Sequence, residues 1–481
     1  MDRTIAMWRT LLSHAKVCSL SRFCIITISL VFCIGGAFLA QAKSDHPQIE
    51  GVEQAPLALD YSWVQDLVQA YPELSWFAVE NQEAASSSDI HHYSSQVFNR
   101  SIPEFDCAIM SIYCMRTFLE GKYEDYLELV SHQSMGTELQ WQSFVTNQNH
   151  IQSVISKFEL LSKSELQKLF EFAIVFNEVS KTKIVKQKLN ELGVVVDSQT
   201  DLLPLLLAHA TEIFPSYKRL DPNSQSYFNK MFLMDNFDQI IRLEGGPEMF
   251  SHLKESNIIK ENPLLFEMGF FVYSSSLAGT LGHLNQKSSL LYTEDLHQCL
   301  SAVKNSCFLL KDQSELFAYN HYLNKRAKWL GLDAGSPLHR VLTRIGAMLM
   351  LYRPEEGKVL KESLLKLSAE DLALVVEEFN SIHKDINIKM PTCLPAVLVN
   401  LSNNICLGEI QKDRLEQTIR IGLPFLAKVL RFQKESCHLH NMNTHIPLNF
   451  DNIAKVAENE PEKLKGSKFE VESSGNVVIH E

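Results

Sequence analysis

Residues 162–193 read SKSELQKLFEFAIVFNEVSKTKIVKQKLNELG, and this stretch decides the fold class. Ser162 followed three residues later by Glu165 is a capping box, in which each side chain takes an end N–H of the helix that opens there. Behind it, apolar residues recur at spacings of three and four, the period of a helix with one buried face. Gly193 supplies a stop, so the spacing predicts a helix reaching Leu192. The same grammar recurs along the chain. Ser101 with Pro103, Asp221-Pro222, Asn262-Pro263, Thr293-Glu294, Asp312 to Glu315, Ser336-Pro337 and Ser368 to Asp371 each pair a polar cap with helical apolar spacing. Expected stops fall at Gly121, at Gly245-Gly246, at Gly331 and before Pro354. Only Val194–Val196 and Val477–Ile479 look strand-like. The fold expectation is all-α: a large multi-helix array or bundle.

Composition excludes several classes. The 481 residues are 45% hydrophobic and 21% charged, with 45 Lys+Arg against 57 Asp+Glu and a net charge of −12. Those fractions are globular, and the chain is long enough for more than one domain. An acidic chain is a poor general phosphate binder, so no nucleic-acid partner is expected.

The first 42 residues differ from the rest. Arg3, Arg9, Lys16 and Arg22 stand against Asp2, followed by eighteen uncharged residues, Phe23 to Ala40, and then Ala40-Gln41-Ala42. A basic flank, an apolar run and small residues before a cut after Ala42 describe a signal peptide. The run also reaches the ~18 residues of a membrane span. The reading for 1–42 is therefore a cleaved signal or an uncleaved anchor helix, with membrane contact through 23–40 in the second case. The protein is then exported (periplasmic or secreted) or single-pass anchored. Removing this segment leaves a body of net charge −15, since it holds four basic residues and one acidic one. Beyond the leader, Cys107, Cys114, Cys299, Cys307, Cys393, Cys406 and Cys437 are read as small core residues, because free cysteine is commonly buried.

The expected organisation continues with a short helical segment and Ser-rich linker over 43–100, an all-α body over 101–454 and a disordered acidic tail over 455–481. The tail is charged and poor in large apolar groups, a composition that cannot form a core by itself.

Three constellations carry chemistry. Around 264–300, Glu267 sits on an otherwise apolar helix, His283 follows Gly279 and Gly282, and Glu294 and His297 stand one turn apart. Carboxylates and imidazoles meeting in a helical cavity suit acid–base or metal-assisted hydrolysis. Against this, Glu294, His297, Ser301 and Lys304 share the face opposite the apolar stripe, which reads as solvated. The small residues Gly269, Ser274–Ser276, Gly279 and Gly282 read as a tight helix crossing. Second, Cys437, His438, His440 and His445 have spacings seen in small zinc sites, although a second clustered pair is missing and a solvated helix end fits as well. Third, Lys181, Lys183, Lys186 and Lys188 line one side of a helix whose other side is Ile184, Val185, Leu189 and Leu192, a solvated face or a membrane-lying one. Arg326, Arg340 and Arg344 are candidates for anion contacts or for surface ion pairs.

The last 25 residues resemble the translocation signals of bacterial type IV secreted effectors. Glu458, Glu460 and Glu462 form the acidic cluster, Ser473 and Ser474 the small polar pair, and Ile479 the hydrophobic position near the end. The resemblance implies a host-facing protein and leaves the body undescribed. The functional expectation is an exported or membrane-anchored helical protein that binds a protein partner or an apolar small molecule. The alternative is a helical hydrolase, with or without zinc, whose site lies at 264–300.

Overall fold

The computed structural model describes residues 62–80, 92–196, 199–231, 237–381, 391–402, 412–439 and 447–480. The Ser162 box forms as its spacing predicts: Ser162 N donates to the Glu165 carboxylate at 2.7 Å and Glu165 N to Ser162 Oγ at 3.3 Å. The helix it opens, however, ends at Val179, and a second runs Lys183–Glu191. The break is local chemistry. Ser180 Oγ donates to Asn177 O and Thr182 Oγ1 to Val179 O, so hydroxyls take carbonyls that the next turn needs. Gly193 then turns the chain at φ +76°, as expected of a helix stop.

In chain order, the first group of helices is α1 (Ser62–Ala70), α2 (Tyr93–Phe98), α3 (Pro103–Glu120), α4 (Tyr123–Val130), α5 (Trp141–Ile155), α6 (Lys163–Val179), α7 (Lys183–Glu191), α8 (Pro263–Gly279), α9 (Glu294–Phe308), α10 (Glu315–Trp329) and α11 (Pro337–Met348). Shorter helices over 199–261 connect α7 to α8. A second group is α12 (Pro354–Leu364), α13 (Ala369–Ser381), α14 (Leu394–Ser402), α15 (Lys412–Leu439) and α16 (Asp451–Asn459), followed by strands β1 (Lys468–Val471) and β2 (Val477–His480). The all-α expectation holds for the described residues, with this one hairpin as the exception. After Pro222 the described residues are helical over Pro222–Met231 and Phe237–Arg242, just before Gly245-Gly246, with 232–236 outside them.

Two apolar cores organise these helices. The larger runs from Val64 to Ala347 and the smaller from Leu330 to Val477. Val64, Leu67, Leu74 and Phe77 join the larger core, which anchors the N-terminal helical segment. Of the Ser-rich stretch read as a linker, Tyr93, Ser94 and Ser95 are buried in α2, while 81–91 lie outside the described residues.

At the centre, α3 and α8 cross with almost no gap. A Cβ added to Gly279 would lie 2.2 Å from Ser111 N, and one on Gly282 would lie 2.6 Å from Asp106 O. Real Cβ atoms do not come that close, so only glycine permits this approach. The small-residue stretch is a helix crossing.

Arg326 and Arg344, considered above for anions or surface pairs, are fully buried. Arg344 donates to the carbonyls of Leu243, Glu244 and Phe379, and Arg326 to those of Leu351 and Gly346. Tyr352 and Trp329 rings cover the Arg326 guanidinium at 4.5 and 5.4 Å. These cations tie internal helix and loop carbonyls together where the two cores meet, the fork of donors matching several carbonyls at once. Arg340 bonds Asn380 Oδ1 and the carbonyls of Ala334 and Gly335.

The tail expected to be disordered is folded. Residues 455–459 complete α16, and β1 and β2 pair antiparallel with Phe469 opposite Ile479 and Val471 opposite Val477. Phe469 packs its ring 5.9 Å from Phe425 and 5.6 Å from Phe432 of α15, and Val477 is buried. An isolated two-stranded hairpin is marginal in water, and α15 supplies the missing apolar partner. Composition of the tail alone contains no sign of that partner.

No helix among the described residues is long and apolar enough to cross a membrane. The leader, residues 1–42, lies outside them.

Candidate functional site

Three helices build a cleft. Helix α5 buries Phe144, Ile151 and Val154, which turns Asn147 and His150 toward its flank. Helix α8 is apolar on nearly every side because it runs through the core, and Glu267 is its one acidic side chain. Helix α9 buries Leu296, Leu300 and Val303 and turns His297, Ser301 and Lys304 to the other side. Spacing alone assigns that other side to solvent. It instead faces α5 and α8 across a cavity of about 30 Å³, floored by Phe270 and Phe271. By the measure in which a water needs ~10–15 Å³, two or three water-sized groups fit.

Glu267 is the electrostatic centre. Its Oε2 receives His150 Nε2 at 2.9 Å and Lys304 Nζ at 3.1 Å. Burial works to raise its pKa, but the His150 hydrogen bond and the Lys304 charge outweigh it and hold the carboxyl below the usual range. Glu267 therefore stays ionised at neutral pH. Burial also lowers the pKa of His297, which keeps that imidazole neutral; its Nδ1 lies 3.3 Å from the Tyr292 hydroxyl. Burial pushes the Tyr292 phenol upward, so it retains its proton as a donor to Nδ1. Proton placement on His297 then falls on Nε2. Asn147, Ser301 and His297 Nε2 have no hydrogen-bond partner among the described residues.

Of the four residues singled out by sequence for catalysis, the structure brings two together. Glu267 and His297 line the cleft. His283 does not: its Nδ1 lies 3.3 Å from Cys107 Sγ at the α3–α8 crossing, and burial with His92 nearby lowers its pKa to about 4. Glu294 is a bracket for the start of α9. It accepts from Gln140 N at 2.9 Å and from Ser143 Oγ at 2.8 Å. Burial would raise the Glu294 pKa, but these donors and Gln298 hold it low. Its carboxylate still acts on the charge of His297, but its hydrogen bonds point to the start of α5 and it does not line the cleft.

Sequence reasoning missed His150. It lies 117 residues from Glu267 along the chain and belongs to no local motif. Helical spacing places Ser301 and Lys304 on one face of α9, but nothing in the local sequence shows that α5 covers that face.

The other constellations resolve as follows. Cys437, His438, His440 and His445 lie outside the residues whose side chains are described. Among the described residues no group of three or more His, Cys, Asp or Glu is arranged to hold a metal ion. Cys107, Cys114, Cys299, Cys307 and Cys393 are buried and form no disulfide, as the core reading predicts for them; Cys406 and the side chain of Cys437 lie outside the described residues. The lysine stripe is engaged with its own protein: Lys181 pairs with Glu178 at 2.6 Å and Lys188 lies over the Trp76 ring.

No curated protein and no solved structure matches the chain. Residues 73–461, which contain the cleft and most of both cores, match the profile described as "Family of unknown function (DUF6829)", and the chain belongs to that family.

Proposed function

We propose that the protein is an exported or membrane-anchored helical protein that acts by binding a small ligand in the cleft between α5, α8 and α9. One observation carries the binding reading. Asn147, Ser301 and His297 Nε2 converge on one cavity without protein partners, beside a Glu267–Lys304 pair that is already formed. Polar groups arranged around an apolar floor are the ordinary composition of a ligand site. The small cavity admits a head group and leaves the remainder of a ligand to lie along the open side by His150, whose side chain is 42% exposed.

The test is a thermal-shift screen of small metabolites against the wild type and Ser301→Phe, whose ring fills the cavity. Hits lost in a folded Ser301→Phe support the reading; hits that all persist refute it. The address rests on the basic and apolar segment 1–42. N-terminal sequencing of protein recovered from fractionated cells is expected to start at Lys43 or to find the full leader in the membrane. Full-length soluble cytosolic protein overturns the address.

A second reading, helical hydrolase, draws on the neutral His297 one turn before Ser301 on the same face, an arrangement suited to a base and a hydroxyl nucleophile. It predicts ester hydrolysis that both Ser301→Ala and His297→Ala abolish.

A further inference from the structure

The groups left over in the cleft specify the head group it takes, given the binding reading above. Both contacts of Glu267 fall on Oε2, so Oε1 accepts from no described residue. Lys304 carries three N–H donors and uses Glu267 alone. One carboxylate and one ammonium, each with unused capacity, thus border the same small space. Ser301 and Asn147 add neutral groups able to donate or accept, and neutral His297 adds a donor without charge.

Charge balance then discriminates between ligands. An anion placed against Lys304 also lies beside Glu267, and a cation placed against Glu267 also lies beside Lys304. With the two site charges only 3.1 Å apart, attraction and repulsion nearly cancel in either case. A ligand carrying both charges a few ångströms apart is attracted at each end. We propose that the cleft binds a free α-amino acid by its zwitterionic head, ammonium toward Glu267 Oε1 and carboxylate toward Lys304 and Ser301. Size agrees. A cavity for two or three waters takes the head, and the apolar lining of Ile151, Phe270 and Leu300 favours an apolar side chain.

The experiment is isothermal titration of the full chain with L-leucine and L-phenylalanine, against N-acetyl-L-leucine, which keeps only the anion, and L-leucinamide, which keeps only the cation. At least one free amino acid is expected to bind, with each blocked form weaker by about tenfold or more, the equivalent of one lost charge-assisted contact. Lys304→Met and Glu267→Gln are expected to weaken binding to the same degree. Circular dichroism establishes that each variant is folded, and Lys304→Arg, which keeps the charge, is expected to restore part of the affinity. Equal binding of a blocked form overturns the zwitterion assignment. So does failure of both free amino acids, even where other hits of the metabolite screen are lost in Ser301→Phe. In that case the cleft remains a binding site for another head group. Amino-acid binding that survives in folded Ser301→Phe places the ligand elsewhere and overturns both readings.

Discussion

The crossing of α3 and α8 makes a quantitative prediction for Gly279→Ala. In an open helix this change stabilises by up to ~1 kcal/mol, because alanine loses less backbone freedom on folding. Here the new Cβ would meet Ser111 N at 2.2 Å, Ser111 Oγ at 2.3 Å and Ser111 Cα at 2.4 Å. Two of those three atoms are backbone, so no rotamer change relieves the clash. The helices must separate by about 1 Å, and overpacking of this kind costs roughly 1–3 kcal/mol. Separation also strains the bond from Ser111 Oγ to Ser276 O, now 3.2 Å, worth about 1 kcal/mol. Set against the propensity gain, the net expectation is a loss of about 1–3 kcal/mol. Gly346→Ala is the control. Its closest neighbour is Leu330 Cδ1 at 2.6 Å, the far end of a side chain that can turn away, so its stability should change by less than about 1 kcal/mol. Urea unfolding followed by far-ultraviolet circular dichroism measures both, provided the m-value is unchanged. A Gly279→Ala protein as stable as wild type would refute the close-crossing argument.

Three further outcomes follow from other parts of the molecule. Arg344→Met removes a guanidinium from three buried carbonyls and should cost on the order of 3 kcal/mol or more in the same urea assay; a loss under about 1 kcal/mol refutes its role at the junction of the two cores. His283 has a folded pKa of about 4, below the 6.5 of a free imidazole, so the unfolded chain binds more protons between those values. Its contribution is therefore complete above pH 6.5 and is lost as pH falls toward 4. The slope of stability against pH across that window should flatten in His283→Asn, and an unchanged slope counts against the burial of this imidazole. Val477→Asp places a charge at the fully buried position of β2, the strand that packs on α16, and should release the hairpin, seen as faster proteolytic cleavage after residue 464 with the remaining helices intact; unaltered cleavage shows that the hairpin is not held by that contact.

Local signals carried far where the physics was local. Caps such as Ser162, Thr293 and Ser368 accept N–H groups at the helix starts that their spacing indicated, while the cap expected at Asp312 is supplied by Ser314, two residues further on. The glycines after the small-residue stretch did mark a close crossing. Errors arose where a distant element changed the outcome. Composition marked the tail as unstructured because its few apolar residues cannot form a core by themselves, and Phe425 and Phe432 lie some forty residues earlier in the chain. Arg326 and Arg344 looked like surface residues because their carbonyl partners belong to backbone, which leaves no trace in side-chain pattern.

The cleft shows the same division. Sequence alone marked Glu267 as a lone acid on an apolar helix and His297, Ser301 and Lys304 as one face of another. Helical period determines which residues share a face, and that is a property of the chain within a few residues. What each face meets depends on how α5, α8 and α9 pack. His150 reaches Glu267 across 117 residues, while His283 and Glu294, nearer in sequence to the site, are drawn to Cys107 and to the start of α5. Period and capping, set by neighbouring residues, thus determined the helices of this protein, and only tertiary packing, which minimises exposed apolar surface over the whole chain, decided which polar groups would share a cavity.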